Sequence, residues 1–376
     1  MANIEYRPEI PDSYGLSLFH TSNMPQTQPI PYHAFHHQLQ SWYRAHHRDL
    51  PWRRTRDPYT IWLSEIILQQ TRVQQGLPYF QKILKAFPRV DDLAIASEEH
   101  LMQLWKGLGY YRRARLMHQA AQRVVHEYGG RFPSSFEDLK KLPGVGDYTA
   151  AAIASMAFGE AVAVVDGNVV RVVSRLFDDD VPVHTSSGRR HFQHRAQNLL
   201  DDAAPGDHNQ AMMELGATVC HPRQPQCTSC PVQSFCRAYA QGVVAQRPLK
   251  KPKVAVRDRY MHYLLLELEG CYAVRKRSDQ DIWGGLFELV LCERQDDRPA
   301  QAGDFEAVLG VRPHHLNMVF SKRHKLTHQQ LHCLFYTAKW PLSGTMGPSG
   351  YHWVDASELK QLATPVVIDH FLRRML

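Results

Sequence analysis

Apolar residues recur at helical spacing over the first two thirds of the chain, whereas the last third has a strand-like pattern. Helical repeats run from Pro31 to Arg48, from Arg189 to Leu200 and from Asn209 to Val219. From Tyr260 onward, the segments YMHYLLLEL and CYAVRKR flank a Glu-Gly turn, and LHCLFYTAKW follows later. The pattern predicts an all-α region followed by a separate α+β domain.

Two helix starts carry capping signatures. Ser134, with Glu137 three residues later, is typical of a capping box. Asp166 ends an apolar run and precedes a helical repeat, which predicts that its carboxyl caps that helix. Helix-end amides also favour the anionic form of a carboxyl. Asp166 is therefore a candidate for chemistry that needs a fixed negative charge.

A tight turn, LPGVG, joins two helical patterns. Gly144 and Gly146 permit the turn, and the Ala-rich run from Asp147 to Phe158 predicts a helix that Gly159 ends. The amides around the two turn glycines then lie at a helix N-terminus, where the helix dipole favours a phosphate group. An ordinary helix-helix turn explains the same residues, so the hairpin suggests a DNA-backbone site only together with other signals.

The helical pattern from Tyr59 to Gln75 is apolar on nearly every side and should be buried. Glu65, Gln69 and Arg72 fall on one narrow stripe of this pattern. Burial raises the pKa of a carboxyl group, which would keep Glu65 protonated near neutral pH and able to act as a general acid. A buried ion pair between Glu65 and an arginine is the alternative interpretation.

Tyr110 lies in the segment GLGYYRRARL, where two glycines free the backbone and three arginines add positive charge. An aromatic side chain on a Gly-rich basic loop suits stacking against nucleic-acid bases. The alternative is a tyrosine buried in the helical core.

Four of the seven cysteines, Cys220, Cys227, Cys230 and Cys236, have the compact spacing C-x6-C-x2-C-x5-C. Four thiolates at this spacing can converge on one metal centre, and the chemistry allows either tetrahedral zinc or an iron-sulfur cluster.

Composition and charge add weaker constraints. A chain of 376 residues with 44% hydrophobic composition is long enough for two or three domains. The formal charge of +7 suits a polyanionic partner. The odd cysteine count and the absence of a signal-peptide core or a membrane-length apolar run predict a cytoplasmic protein in a reducing compartment.

Together, LPGVG, the tyrosine two residues after it, VDGN and SEIILQQT resemble the helix-hairpin-helix superfamily of DNA glycosylases, and within it the MutY adenine glycosylases. The cysteine spacing is similar to the [4Fe-4S] site of endonuclease III and its MutY relatives. The segments VRKRSDQDIWGGLFEL and YHWVDASEL resemble Nudix-type folds, although the acidic REUxEExGU helix is missing after Gly285. The last domain is therefore expected to sense 8-oxoguanine rather than to hydrolyse pyrophosphates.

The resemblance implies a role for each matched residue. Glu65 corresponds to the catalytic glutamate that protonates adenine, and Asp166 to the carboxylate that stabilises the sugar cation. The remaining matches are Tyr148 and Asn168 as positioning residues, Gln70 and Tyr110 as duplex wedges, Arg53 and Gln210 in the adenine pocket, the hairpin glycines Gly144 and Gly146 on the DNA, Leu326, Thr327 and His328 as the lesion-sensing loop, and the four cysteines as cluster ligands.

The resemblance also implies a domain order and a function. The expected divisions are a polar tail (1–30), a bilobal all-α catalytic region (31–245), a linker (246–258) and a Nudix-like domain (259–376), with a six-helix lobe at about 51–156 and a cluster lobe from 31–50 plus 157–245. The expected protein is a monomer that acts on double-stranded DNA, away from membranes. It would be a monofunctional glycosylase that removes adenine opposite 8-oxoguanine or guanine.

Two alternatives to this function stay open. One is a bifunctional glycosylase with lyase activity, although endonuclease III relatives place a lysine where this chain has Tyr148. The other is a non-catalytic, metal-stabilised DNA-binding protein, in which Glu65 is a paired core residue and Asp166 only a cap.

Overall fold

The structure is a computed structural model that describes residues 30–249, 256–278, 280–326, 328–341 and 348–376. Most of the expected polar tail, part of the expected linker and Thr327 lie outside these residues. Within the described part of the chain, no helix combines the length and the apolar character that crossing a bilayer requires.

The N-terminal region is all helical, as predicted, and has two separate cores. The first core draws mainly on residues 50–154, and the second on residues 30–43 and 163–232. The helices around the first core are α2 (Pro58–Leu68), α3 (Val73–Ala86), α4 (Val90–Ile95), α5 (Glu98–Trp105), α6 (Arg112–Tyr128), α7 (Phe136–Leu139) and α8 (Asp147–Phe158). Those around the second are α1 (Tyr32–His46), α9 (Gly167–Phe177), α10 (Ser186–Leu199), α11 (Pro205–Thr218) and the short α12 (Arg237–Ala240).

The C-terminal domain is built on a mixed sheet with helices on both faces, which confirms the predicted α+β class. Its strands are β1 (Arg257–Leu268), β2 (Cys271–Lys276), β3 (Phe287–Glu288), β4 (Val290–Arg294), β5 (His314–Lys325), β6 (Gln329–Lys339) and β7 (His352–Asp355). The main strand order is β3-β2-β1-β6-β5; β4 also pairs with β1, and β7 pairs with β2. The β1 and β6 strands run parallel, with Arg257 opposite Gln329. The helices are α13 (Ala302–Leu309), α14 (Ala356–Gln361) and α15 (Val366–Met375).

The C-terminal domain packs directly on the first helical lobe. Leu286 is fully buried in the core of that lobe, and Trp283 packs beside it. Arg115 Nη2 donates to the carbonyl of Gly284 at 2.9 Å, and Lys106 Nζ donates to the carbonyl of Lys360 at 2.7 Å. The sheet domain is therefore held against α5 and α6, close to the loop that carries Tyr110.

Two local predictions are wrong. The helix predicted from Tyr59 to Gln75 ends at Leu68, and α3 begins at Val73. Glu65, Gln69 and Arg72 therefore do not share a stripe of one helix, because Gln70 adopts a left-handed backbone with φ of 54°. The short helix α7 is capped by Ser135, which accepts from the amide of Asp138, and not by a box of Ser134 and Glu137.

Candidate active site

Glu65 lies on α2, in the interior of the helical region. Its side chain is buried, and only 7% of the residue is exposed. Burial raises the pKa of the Glu65 carboxyl to about 7, although the hydrogen bond from Tyr148 and the positive charge of Arg53 act to lower this pKa. A carboxyl group with this pKa is half protonated at neutral pH, which is the property expected of a general acid.

Tyr148 and Asp166 lie beside Glu65. The phenol of Tyr148 donates to Met213 Sδ at 3.5 Å and also interacts with the Glu65 carboxyl. The charge of Asp166 contributes to raising the pKa of Glu65, so the two carboxyl groups share one electrostatic environment. The pKa of Tyr148 is held well above its usual value by burial and by these two neighbouring carboxyls. The phenol is therefore a neutral group that hydrogen-bonds to the Glu65 carboxyl.

Asp166 caps α9, as predicted. Its Oδ1 accepts from the amides of Asn168 (2.8 Å) and Val169 (2.7 Å), and its Oδ2 accepts from Asn168 Nδ2 at 2.7 Å. Asn168 is fixed in turn, because Arg171 Nη2 donates to its Oδ1 at 2.9 Å. A Cβ added at Gly216 on α11 would lie only 2.6 Å from the Cβ of Asn168. Glycine at that position lets the two helices approach closely enough to hold Asn168 in place.

Arg53 reaches the Glu65 side of the site from the short turn Pro51–Arg53. Its Nη2 donates to Glu214 Oε2 at 2.7 Å, and Arg48 binds the same carboxylate through its amide, Nε and Nη2. Glu214 has a fully buried side chain, and the hydrogen bonds from Arg48 and Arg53 hold its pKa at about 2 despite the opposing effect of burial. The buried anion of Glu214 thereby fixes the direction of the Arg53 guanidinium.

Gln210, on α11, is connected to Arg53 through Tyr43. The Tyr43 hydroxyl donates to Gln210 Oε1 at 2.9 Å, and the Arg53 guanidinium lies 5.8 Å from the centre of the Tyr43 ring. The structure therefore brings Arg53 and Gln210, the residues matched to an adenine pocket, onto one connected set of side chains.

The hairpin between α7 and α8 has the predicted form. Gly144 has a φ of 75°, a conformation that favours glycine, and a Cβ there would lie 2.9 Å from the Cβ of Leu116. Gly146 is the N-cap residue of α8, with extended backbone and no side-chain capping hydrogen bond. The N-terminus of α8 is therefore open to an anionic group.

Gln70 and Tyr110 are exposed side chains on two adjoining segments. Both residues are non-glycine residues with positive φ, at 54° and 51°. Tyr110 is 55% exposed, which excludes the alternative interpretation of a core tyrosine. The guanidinium of Arg113 lies 5.2 Å from the Tyr110 ring and also donates to the carbonyl of Gln69. The two segments are thus linked through Arg113.

Leu326 and His328 lie at the turn between β5 and β6. The amide of Leu326 donates to the carbonyl of Gln329 at 2.8 Å, and the carbonyl of His328 accepts from the amide of Arg257 at 3.1 Å. The His328 side chain is exposed, whereas Leu326 packs against the core of its own domain. Thr327, between them, lies outside the described residues.

The four predicted cysteines line one cavity, together with Arg175 and Val219 among others. Arg175 Nη1 donates to Cys220 Sγ at 3.2 Å. Burial raises the pKa of the Cys230 thiol to about 12 and that of Cys236 to about 11. In the described part of the chain, the side chains as they stand form no group of three or more His, Cys, Asp or Glu that could hold a metal ion.

Sequence reasoning missed Glu214 and the structural role of Arg113. A signal for Glu214 exists, because it follows Gln210 by four residues on α11 and is therefore on the same helix face. Its partners Arg48 and Arg53, however, are more than 160 residues away in the chain. No local pattern identifies such a pair.

Comparison with known proteins agrees with this architecture. Residues 63–189 match the family described as HhH-GPD superfamily base excision DNA repair protein, and residues 262–374 match the NUDIX domain family. Among solved structures, a thermostable thymine-DNA glycosylase is similar with a TM-score of 0.52 and 30% identity, over 56% of this chain and 97% of that one.

Relatives extend the match across both domains. The adenine DNA glycosylase of Mus musculus is 45% identical over 60% of this chain and 47% of its own length. The chain spans less than half the length of the mammalian relatives. The adenine DNA glycosylase of Buchnera aphidicola subsp. Acyrthosiphon pisum is 30% identical over 80% of this chain and 85% of its own length. The chain therefore belongs to the adenine DNA glycosylase family, which confirms the resemblance found in its motifs.

Proposed function

We propose that the protein is a monofunctional adenine DNA glycosylase that removes adenine opposite 8-oxoguanine or guanine in duplex DNA and so initiates base excision repair. The observation that carries this proposal is the pairing of a buried Glu65, with a pKa of about 7, and a hydrogen-bonded Asp166 in one electrostatic environment. Membership of the adenine DNA glycosylase family supports the choice of base.

The chemistry divides between the two carboxyl groups. Cleavage of the bond between adenine and deoxyribose requires a proton on the purine, because the neutral leaving group departs far more easily than the anion. Glu65 donates that proton, at N7 of adenine, and afterwards is a carboxylate that can accept a proton from the attacking water. Tyr148 and Arg53, which both lower the pKa of Glu65, stabilise this carboxylate form.

Asp166 supplies the negative charge that the sugar needs. As the C–N bond breaks, positive charge develops on the deoxyribose, as in other oxocarbenium-like glycoside hydrolyses. The carboxylate of Asp166 is fixed by two amides and by Asn168, so it need not reorganise during the reaction. A fixed anion of this kind stabilises the transition state more than the ground state.

Base removal also requires the adenine to leave the stack. Gln70 and Tyr110 are exposed on adjoining segments, where they can enter the duplex beside the extruded nucleotide. The open N-terminus of α8 at Gly144 and Gly146 supports a phosphate contact that holds the DNA. Leu326, Thr327 and His328 are the residues proposed to read the base opposite adenine.

A monofunctional mechanism follows from Tyr148. A lyase reaction needs an amine that forms a Schiff base with the sugar. Tyr148 instead places a phenol beside Glu65, and the pKa of that phenol is well above its usual value. Activated water is therefore the nucleophile, and an intact abasic strand is the product.

A single-turnover assay on duplexes tests this function. With adenine opposite 8-oxoguanine, and more slowly opposite guanine, we expect abasic sites that break only after alkali treatment. Adenine opposite thymine is the control and should remain. Borohydride should trap no protein-DNA adduct, and a strong adduct would overturn the monofunctional mechanism. Failure to release adenine from either mispair would refute the proposed function.

We further propose that Cys220, Cys227, Cys230 and Cys236 hold a [4Fe-4S] cluster, which proteins of this family generally carry. The donor set fits, because four sulfur side chains line one cavity and the Arg175 guanidinium donates to Cys220 Sγ. That positive charge suits an anionic thiolate-ligated cluster. The cluster would join the segment 220–236 to α9, since Arg175 belongs to that helix.

Iron analysis distinguishes the cluster from zinc. Protein purified without oxygen should contain about four irons and four sulfides per chain, as the cluster formula requires. The variant Cys236→Ser should lose most of this iron, whereas Cys271→Ser, on β2 of the C-terminal domain, is the matched control and should keep it. One zinc per chain and no iron would contradict the cluster.

A further inference from the structure

Arg113 occupies an unusual position at the end of the helix that carries Glu65. Its Nη1 donates to the carbonyls of Ile66 (3.0 Å) and Ile67 (2.9 Å), and also to the carbonyl of Gln69. Carbonyls at a helix C-terminus lack partners within the helix. A single side chain from α6 therefore completes the hydrogen bonding at the C-terminus of α2.

The same guanidinium holds the segment that follows α2 and the segment that precedes α6. Its Nη2 donates to Thr71 Oγ1 and to the carbonyl of Gly109, both at 3.3 Å. The guanidinium also lies 5.2 Å from the ring of Tyr110 and 5.5 Å from that of Trp105. Contacts within these distances are favourable for a cation above an aromatic ring.

The two segments that meet at Arg113 both carry an exposed residue in a strained conformation. Gln70 has a φ of 54° and Tyr110 a φ of 51°. A left-handed conformation is unfavourable for a residue other than glycine, and it persists only where surrounding contacts enforce it. Arg113 supplies such contacts on both sides, because it binds the carbonyls of Gln69 and Gly109, each directly before a strained residue.

We propose that Arg113 is a positioning residue for base extrusion. Its guanidinium links the segment that carries Gln70 to the segment that carries Tyr110, and links both to the C-terminal end of α2. This inference rests on the proposed glycosylase function. Arg113 touches neither the base nor the sugar in this role. It keeps the two wedge side chains at the separation that the unstacked duplex requires, so that extrusion and placement of adenine against Glu65 occur together.

The test compares Arg113→Met, Arg113→Lys and Arg131→Met. Arg131 is an exposed arginine just beyond the C-terminal end of α6, so its variant removes the same charge far along the chain from the linked segments. At saturating protein, Arg113→Met should excise adenine opposite guanine roughly 100-fold more slowly than wild type, since misplaced reacting groups commonly cost that much. Arg131→Met should stay within about threefold of wild type. Arg113→Lys keeps the charge but cannot span several carbonyls, and should also be slow.

Two further readouts separate positioning from general loss of structure. A 2-aminopurine in place of the target adenine should show reduced extrusion fluorescence with the Arg113 variants. A duplex with an abasic analogue opposite adenine, where no base pair opposes extrusion, should recover most of the lost rate. The pH dependence of the residual rate should match wild type, because the surroundings of Glu65 are unchanged.

Specific outcomes would overturn the inference. It fails if Arg113→Met is as active as Arg131→Met, or if its deficit is equally large on the duplex that lacks the opposing base. If Arg113→Met strongly lowers the melting temperature, the same two comparisons are made with Arg113→Lys in its place, and their result decides the inference. The proposed function itself fails only if the wild-type protein releases no adenine, which is a distinguishable result.

Discussion

Replacing Glu65 by glutamine is expected to slow single-turnover excision of adenine by about a thousandfold, within the range by which general acids accelerate reactions. Glutamine has nearly the same shape as glutamic acid and can still accept a hydrogen bond from Tyr148, but it has no proton to transfer to the purine. DNA binding should change little, because Glu65 is buried and lies away from the protein surface. Excision measured at saturating protein isolates the chemical step.

The pH dependence of the wild-type protein gives a second measure of the same group. Since Glu65 acts in its protonated form and has a pKa of about 7, excision should fall about tenfold per pH unit above pH 7. The Glu65→Gln variant should lack this alkaline limb. An alkaline limb that survives in the variant would assign the titration to another group and remove Glu65 from the role of acid.

Stability measurements provide the control for folding. The pKa of Glu65 is raised from 4.5 to about 7 in the folded protein, so the folded state binds this proton more tightly than the unfolded chain does. Wild-type stability therefore falls as pH rises from about 4.5 to 7, by roughly 3 kcal/mol in all. The glutamine variant does not lose this stability. At pH 8 it should be at least as stable as wild type, so unfolding cannot explain lost activity.

Features set by neighbours in the chain were predictable from the sequence. Asp166 caps α9 because its side chain reaches amides only two and three residues ahead, and Gly159 ends α8 because glycine readily adopts a left-handed conformation. The strand-like run YMHYLLLEL from Tyr260 predicted β1, which buries side chains on both faces of the sheet against helices of the same domain. Local stereochemistry was sufficient in each case.

Features set by distant residues were not predictable. No glycine or proline follows Leu68 before Gly76, yet α2 ends at Leu68, because Arg113, more than 40 residues away, binds the last carbonyls and Gln70 turns left-handed. The Glu214 carboxylate acts on Arg53 across 161 residues. Even the pKa of Glu65 depends on Tyr148 and Asp166, which belong to other helices. The sequence identified candidates for the site, whereas only the fold shows how they interact.

Asp166 poses a sharper problem than Glu65, because a capping role alone explains its position. Asparagine also caps helices well, and Oδ1 of an asparagine can accept from the amides of Asn168 and Val169 as the aspartate does. The substitution does lose the bond from Asn168 Nδ2 to Asp166 Oδ2. The variant Asn168→Ala loses the same bond and keeps the charge, which makes it the matched control.

Asp166→Asn is expected to slow excision about 100- to 1000-fold, a typical cost for removing one preorganised electrostatic partner of a transition state. Asn168→Ala should cost about tenfold, because it loosens the carboxylate without neutralising it. Both variants should unfold within about 1 kcal/mol of wild type, since the cap is retained. Single-turnover rates and denaturant unfolding measure these effects.

The alkaline limb of the pH-rate profile shows whether Asp166 acts through its negative charge or only as a helix cap. The anion of Asp166 raises the pKa of Glu65 by making a second negative charge unfavourable. Removing it makes Glu65 easier to ionise, so the pKa of Glu65 falls and the limb of Asp166→Asn should move to lower pH. Asn168→Ala should leave the limb in place. If Asp166→Asn excises within tenfold of wild type with an unshifted limb, Asp166 is a helix cap and the sugar cation is stabilised by another group.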